Sequence, residues 1–177
     1  MKLAILDRDG VVNYDSPAFI KSPDEWRPIP GSLDAITRLN RAGYHVVIAT
    51  NQSGVGRGLF EMATLNAIHD KMHRALAEVG GRLDAVFFCP HAQEANCNCR
   101  KPRAGLLDEI ARRFNMSLEG VPVIGDALRD LQAAAAVGAL PVLVLTGKGP
   151  RTQREGGLPA GTQVHASLAA AVDALLA

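Results

Sequence analysis

Five short aliphatic runs, at 3–6, 45–49, 85–88, 121–124 and 142–145, alternate with segments of helical spacing. Runs of four or five residues, most of them rich in Val, Ile or Leu, read as buried strands. Between the first two, Leu33, Ile36 and Leu39 step by three, with Ser32 as an expected N-cap and Gly43 as a stop. Leu65, Ile68, Met72, Leu76 and Val79 share a second helical face that ends at Gly80-Gly81. Leu106, Leu107, Ile110, Ala111 and Phe114 make a third face, and Leu131, Ala134, Ala135 and Gly138 a small-residue fourth. Leu168, Ala171, Val172 and Leu175 form the last. Such alternation predicts an α/β fold: a mostly parallel sheet, right-handed crossovers and helices on both faces. No linker or repeat interrupts the pattern, so residues 1–177 are expected to form one domain. The polar, glycine-rich stretch 147–161 reads as a surface loop.

In open parallel sheets ligands bind beyond the carboxyl ends of the strands, so the residues that follow each strand matter most. Asp7-Arg8-Asp9-Gly10 follows the first and Thr50-Asn51-Gln52-Ser53-Gly54 the second. Gly125-Asp126, with Asp130 four residues on, follows the fourth, and Arg100-Lys101-Pro102 precedes the third helix. Alone, an Asp-x-Asp is ordinarily a turn or a cap. Together these segments describe a site. Asp7 and Asp9, joined by Asp126, offer hard oxygen ligands that suit Mg²⁺. Lys101 adds a positive charge and Thr50 a hydroxyl. Carboxylates, a cation, a lysine and donors are the parts that phosphoryl transfer needs, because positioning and charge stabilisation dominate that chemistry.

All three cysteines fall in one window, Cys89-Pro90-His91 and Cys97-Asn98-Cys99. Three sulfurs and an imidazole complete a tetrahedral Zn²⁺ set with no open position, so the zinc is expected to be structural. The window ends at Arg100-Lys101, which makes it a staple for that lysine. Clustered cysteines in an odd number fit a metal site in a reducing compartment better than a disulfide framework. Of the other histidines, His69 and His73 are expected on the surface of the second helix.

Composition narrows the partners. Nineteen Lys and Arg against eighteen Asp and Glu give a net charge of +1, and aromatics are 5%. A nucleic-acid binder acting through bulk charge or base stacking is therefore not expected. No stretch resembles a membrane span or an export signal, and a cytoplasmic location is expected. A phosphoacceptor receiver domain also uses strand-end aspartates and a lysine, but it has no use for a zinc loop. Steady phosphate release separates the two.

With these segments in this order, the chain resembles the haloacid dehalogenase (HAD) phosphatase superfamily over nearly its whole length. The resemblance implies a Rossmann-like parallel sheet. Asp7 would be the nucleophile that becomes an aspartyl phosphate, and Asp9 the general acid and base. Thr50 and Lys101 would hold the phosphoryl oxygens. Mg²⁺ would be bound by the carboxylates of Asp7 and Asp126 and the backbone carbonyl of Asp9. Asp130 would orient Lys101. Where the family often carries Lys or a polar residue after the fourth-motif Asp, this chain has Ala127. About forty residues separate Asp9 from Thr50 and about fifty separate Thr50 from Lys101, which leaves no room for a cap domain.

As a capless, zinc-loop type, the chain resembles two branches of the superfamily. One removes the 7-phosphate of a heptose 1,7-bisphosphate, whose product feeds activated heptose for lipopolysaccharide; the other acts on histidinol phosphate. The first matches better, through Asn13, Asp15, Arg57-Gly58 and the whole Cys89–Pro102 pattern, and the chain shows no fused dehydratase segment. The expected substrate contacts are Asp15, Asn51, Gln52, Ser53, Arg57 and Arg100, with Arg100 receiving a second phosphate. The expected partner is a small phosphorylated sugar bound by a monomer.

Overall fold

The computed structural model describes residues 1–177. Six strands run parallel in the order β3-β2-β1-β4-β5-β6. They are β1 (Lys2–Leu6), β2 (Tyr44–Asn51), β3 (Ala85–Cys89), β4 (Pro122–Gly125), β5 (Leu140–Val144) and β6 (Gln163–His165). The helices are α1 (Ser32–Arg41), α2 (Ser53–Gly56, a single turn), α3 (Met62–Glu78), α4 (Gly105–Phe114), α5 (Leu128–Ala136), α6 (Gly149–Glu155) and α7 (Leu168–Leu176).

The period of two along β1 sorts its side chains between two cores. Ala4 and Leu6 join Ile36 and Leu39 of α1, Ile68 and Met72 of α3, and Leu168 and Val172 of α7. Leu3 and Ile5 face the other way, onto Leu106, Leu107 and Ile110 of α4 and Ala133 and Ala134 of α5. Helices therefore cover both faces, as the alternation predicts, and no cap stands over the sheet. Strand order reverses between β1 and β4, the pair that opens a crevice at the carboxyl ends. Asp7 and Asp126 leave the sheet there.

Three expectations need correction. Ser32 is not the cap of α1: Gly31 takes that position with φ +88°, and the Ser32 hydroxyl donates to Val11 O at 2.8 Å. The stretch 147–161 is not all loop, since Gly149–Glu155 is helical and β6 follows it. Pro150 sits in the first turn, where its missing N–H costs nothing. His69 is buried, not on the surface, because α3 turns it inward onto Arg8.

Candidate active site

The switch point holds a cavity of about 320 Å³. Asp7, Asp9, Asp15, Thr50, Asn51 and Ser53 line its floor and wall, with Arg57, Arg100, Arg129 and Lys148 as its cations.

Asp7 is held from two sides. Its Oδ1 accepts from the Arg8 N–H at 2.9 Å and from Lys101 Nζ at 3.1 Å. Lys101, 3% exposed, also donates to Asp130 Oδ1 at 2.6 Å and to Ala49 O at 2.7 Å, which uses all three of its donors. The backbone of Lys101 is clamped as well: Asn51 accepts from its N–H at 3.0 Å and donates to its carbonyl at 3.1 Å. Asp130 spends its second oxygen on Ala127 N–H at 3.1 Å, closing the first turn of α5. Gly125 is needed for this approach, because a Cβ there would collide with the Asp130 carboxylate.

Asp9 Oδ1 accepts from Arg8 Nε at 2.8 Å and Asn13 Nδ2 at 2.9 Å, and its Oδ2 from Gln52 Nε2 at 3.3 Å. Gln52 also donates to Thr50 Oγ1 at 3.0 Å. Of the expected substrate contacts, Gln52 is the one not on the cavity wall; it lies buried behind Asp9 and Thr50.

The charges are unequal in their comfort. Burial, then repulsion from Asp130, lifts Asp7 to about 6, although Lys101 and Arg129 oppose it. Burial, then Asp7 and Asp130, lifts Asp126 to about 8. Burial also works against ionised Asp9, but the Arg8 charge and the donors from Arg8, Asn13 and Gln52 outweigh it and hold Asp9 below the usual carboxylate range. Carboxylate oxygens of Asp7, Asp126 and Asp130 lie within 4.8 Å of one another. Such crowded, desolvated oxygens fit a hard divalent cation. Asp130 already has its partners, so Asp7 and Asp126 are the two carboxylates left for the ion.

Two lining cations escaped the sequence reading. Arg129, in the first turn of α5, presents a buried Nε without a partner. Lys148 donates its N–H to Asp126 Oδ2 at 2.8 Å, and its ammonium stands 3.4 Å from Asp15. Thr146-Gly147-Lys148 follows β5, so the strand-end rule that picks out Asp7 and Asp126 points to it too. Gly147 has a steric reason: a Cβ there would strike Asp126 Oδ2.

Cys89, His91, Cys97 and Cys99 also bring their ligand atoms within 4.8 Å of one another. Cys89 Sγ is 3.5 Å from Cys97 Sγ and 2.6 Å from Cys99 Sγ, and His91 Nδ1 is 3.3 Å from Cys99 Sγ. Tetrahedral Zn–S bonds of about 2.3 Å place sulfurs roughly 3.8 Å apart, so the donor set suits zinc, and Cys99 must draw back from Cys89 to ligate it. The loop is seated between two helices. Gly56 N–H of α2 donates to Pro90 O at 2.8 Å, and Gly105 N–H of α4 donates to Asn98 O at 3.0 Å. A Cβ at either glycine would collide with the loop backbone.

A doubly wound parallel sheet with an aspartate after β1, a second aspartate two residues on and a lysine bridging Asp7 and Asp130 is the arrangement of a HAD-type phosphohydrolase. Two family models agree in class: one described as HAD-hydrolase-like matches residues 98–171, and one described as polynucleotide kinase 3 phosphatase matches residues 2–133. Similarity to individual proteins is narrower. A D-glycero-beta-D-manno-heptose-1,7-bisphosphate 7-phosphatase of Bordetella bronchiseptica is 62% identical over 99% of this chain and 98% of its own. Its namesake from Pseudomonas putida is 54% identical over 96% and 97%. A crystal structure of the B. bronchiseptica D,D-heptose 1,7-bisphosphate phosphatase, complexed with magnesium and phosphate, superposes with a TM-score of 0.98 at 62% identity, covering 99% of this chain and 98% of that one. The Burkholderia thailandensis enzyme gives 0.81 at 56% identity, covering 100% and 99%. The chain belongs to the D,D-heptose 1,7-bisphosphate phosphatase family.

Proposed function

We propose that this chain removes the 7-phosphate of D-glycero-D-manno-heptose 1,7-bisphosphate, with residues 1–177 acting as one catalytic unit. The observation that carries the reading is the cavity's charge pattern. Four cations, Arg57, Arg100, Arg129 and Lys148, share a wall with three carboxylates, Asp7, Asp9 and Asp15. The reacting phosphate belongs beside Asp7. A surplus of guanidinium groups beyond it suits a second phosphate, which Arg recognises in bidentate fashion. Histidinol phosphate, whose organic part is cationic, is a poor match for that wall. The relatives named above support the same substrate.

Asp7 attacks phosphorus in line, forming an O–P bond as the bond from phosphorus to the sugar oxygen breaks. Lys101 and the Arg8 N–H hold Oδ1 of the nucleophile and fix its direction. Asp9 gives its proton to the departing alkoxide. In the free enzyme Asp9 is held ionised, but a dianionic phosphate beside it favours the protonated form. Asp9 then takes a proton from water, whose oxygen attacks the aspartyl phosphate and releases inorganic phosphate and free Asp7. Thr50 and Ser53 offer hydroxyls, and Asn51 an amide, at the cavity wall. The carboxylates of Asp7 and Asp126 and the Asp9 carbonyl would hold a magnesium ion, which would supply neutralisation of the phosphoryl charge. The Cys89, His91, Cys97 and Cys99 loop would hold zinc and keep Arg100 and Lys101 in place.

No helix is long and apolar enough to cross a membrane. The clustered free thiols favour a reducing, cytoplasmic setting, and the nearly neutral chain is taken to work as a monomer. Phosphate release should be measured from heptose 1,7-bisphosphate, histidinol phosphate and a 3′-phosphorylated oligonucleotide, the last because of the family model that matches residues 2–133. The bisphosphate should lead in kcat/KM by at least about tenfold. A lead by either other substrate refutes the assignment.

A further inference from the structure

Arg8 is fully buried, and nothing in the reaction above uses its side chain. An apolar residue of similar volume would ordinarily sit there at less cost, because a buried ion pair is a weak source of stability. Its contacts are specific. Nε donates to Asp9 Oδ1 at 2.8 Å, and Nη1 lies 3.1 Å from Nε2 of His69 on α3, while Nη2 has no partner. A guanidinium has only donors, so His69 Nε2 must accept, and the ring carries its single proton on Nδ1. Packing holds that acceptor in place: His69 is buried with its ring tilted against Phe88, centroids 6.2 Å apart.

The two oxygens of Asp9 are thereby made different. Oδ1 receives two donors, from Arg8 and from Asn13, which fills its two lone pairs. Oδ2 receives one long contact, from Gln52 at 3.3 Å. Asp9 lines the cavity, and Oδ2 is its oxygen with capacity to spare.

We propose that Arg8, braced by His69, is a positioning residue that pins Asp9 Oδ1 and so leaves Oδ2 alone to deliver the proton to the leaving oxygen. This rests on Asp9 being the general acid. Rotation of the carboxylate would otherwise present either oxygen at varying distance, and a misplacement of about 1 Å can cost a hundredfold in rate. His69 fixes the guanidinium from behind, so the chain from α3 through Arg8 to Asp9 ties the acid to the rigid core.

The test compares leaving groups in the magnesium-loaded full chain. An alkyl phosphate, the heptose bisphosphate, needs protonation of its leaving oxygen; 4-nitrophenyl phosphate needs little. The readout is kcat/KM, which ends at the first irreversible step and therefore reports bond breaking to the leaving group. His69→Phe and Arg8→Lys should lower it about tenfold to a hundredfold on the alkyl ester and less than about threefold on the aryl ester. His69→Gln, whose carbonyl oxygen also accepts, should recover most of the loss. Equal losses on both esters, or a His69→Gln variant as poor as His69→Phe, overturns the proposal. If Arg8→Lys does not fold, the two His69 variants decide alone. Asp9→Asn serves as the control: if it shows no leaving-group difference, the acid assignment itself has failed. If Asp9→Asn discriminates and the His69 variants do not, only the Arg8 proposal is lost.

Discussion

The molecule holds two clusters of metal-ligand type, and they are built in opposite ways. The thiol cluster draws all its ligands from one short stretch, from Cys89 at the end of β3 to Cys99 in the loop seated between α2 and α4. The acidic cluster draws Asp7 from β1 and Asp126 from β4, then adds Lys101 from the loop before α4 and Asp130 from α5. The first needs only a local fold to bring its ligands together. The second exists only once the sheet has formed with β1 and β4 as neighbours. Their energetics differ too. The acidic cluster stores unfavourable charge: burial and then Asp130 push Asp7 above the usual carboxylate range, and burial and then Asp7 and Asp130 push Asp126 above it. A site that resists its own ionisation is poised to take a cation and a phosphate. The thiol cluster is a clasp beside the chemistry.

If that division holds, damage to the acidic cluster removes turnover and damage to the thiol cluster removes stability. The largest effect is expected from Asp7→Asn, which cannot form the aspartyl phosphate. Steady-state phosphate release should fall by well over a hundredfold, and more than about a hundredth of the parent rate would end the nucleophile assignment.

Cys99→Ser should do the reverse. Stoichiometric zinc in protein purified without added metal should disappear, and Tm should drop by roughly 5–15 °C. In the folded fraction kcat should change by less than about tenfold. A larger kcat loss with Tm intact would make the loop part of the catalytic machinery.

Arg100 joins the two regions, since it leaves the thiol loop and lines the active-site cavity with an unpartnered Nη1. Arg100→Ala should cost about ten- to a hundredfold in kcat/KM for the bisphosphate and less than about threefold for a monophosphate. Equal losses on both would place Arg100 at the reacting phosphate. Arg129→Ala, measured alongside, should show the same selectivity if both arginines serve the distal group.

The smallest effect concerns pH. A carboxylate whose native pKa is raised contributes stability that is present at low pH and lost as pH climbs through the native value. For Asp7 and Asp126 that window runs from about 4 to about 8. Metal-free protein should therefore lose stability across this range through these two groups. Magnesium, which binds the ionised pair, should raise Tm by only a degree or so near pH 5 and by a few degrees near pH 8. A shift independent of pH would mean that the cation binds elsewhere.

How far the site could be read from sequence follows the same division. Cys89, His91, Cys97 and Cys99 announced themselves by spacing. Asp7, Thr50, Lys101 and Asp126 were legible because each adjoins a strand end or a helix start, and those positions meet in a parallel sheet. Arg129 and Lys148 were not. Arg129 hides in an ordinary helical turn, and only the direction of α5 aims it at Asp7. Lys148 lies in a stretch whose glycines and polar residues pointed to a loop, yet Gly149–Glu155 is helical. His69 was expected outside because two histidines at i and i+4 look like a solvent face. One of them instead faces inward onto Arg8, a buried arginine just past β1 and 61 residues away in sequence.

The sequence by itself determined the layers, the parallel direction of the first five strands and the acidic, lysine and thiol groups of the two clusters; β6, Arg129 and Lys148 lay outside it. Hydrophobic period and strand-end polarity are local properties, and a one-dimensional pattern carries them completely. Which of those groups touch was decided by the tertiary structure. The reversal of strand order between β1 and β4 set Asp7 beside Asp126. Close approach at Gly125 and Gly147 let Asp130 and the Lys148 backbone reach in. Burial then changed the chemistry of residues already in place: it lifted Asp7 and Asp126, and it left Arg8 with His69 and Asp9 as partners. Desolvation and distance between charges depend on what the fold packs around a group, and neighbours in sequence do not fix that.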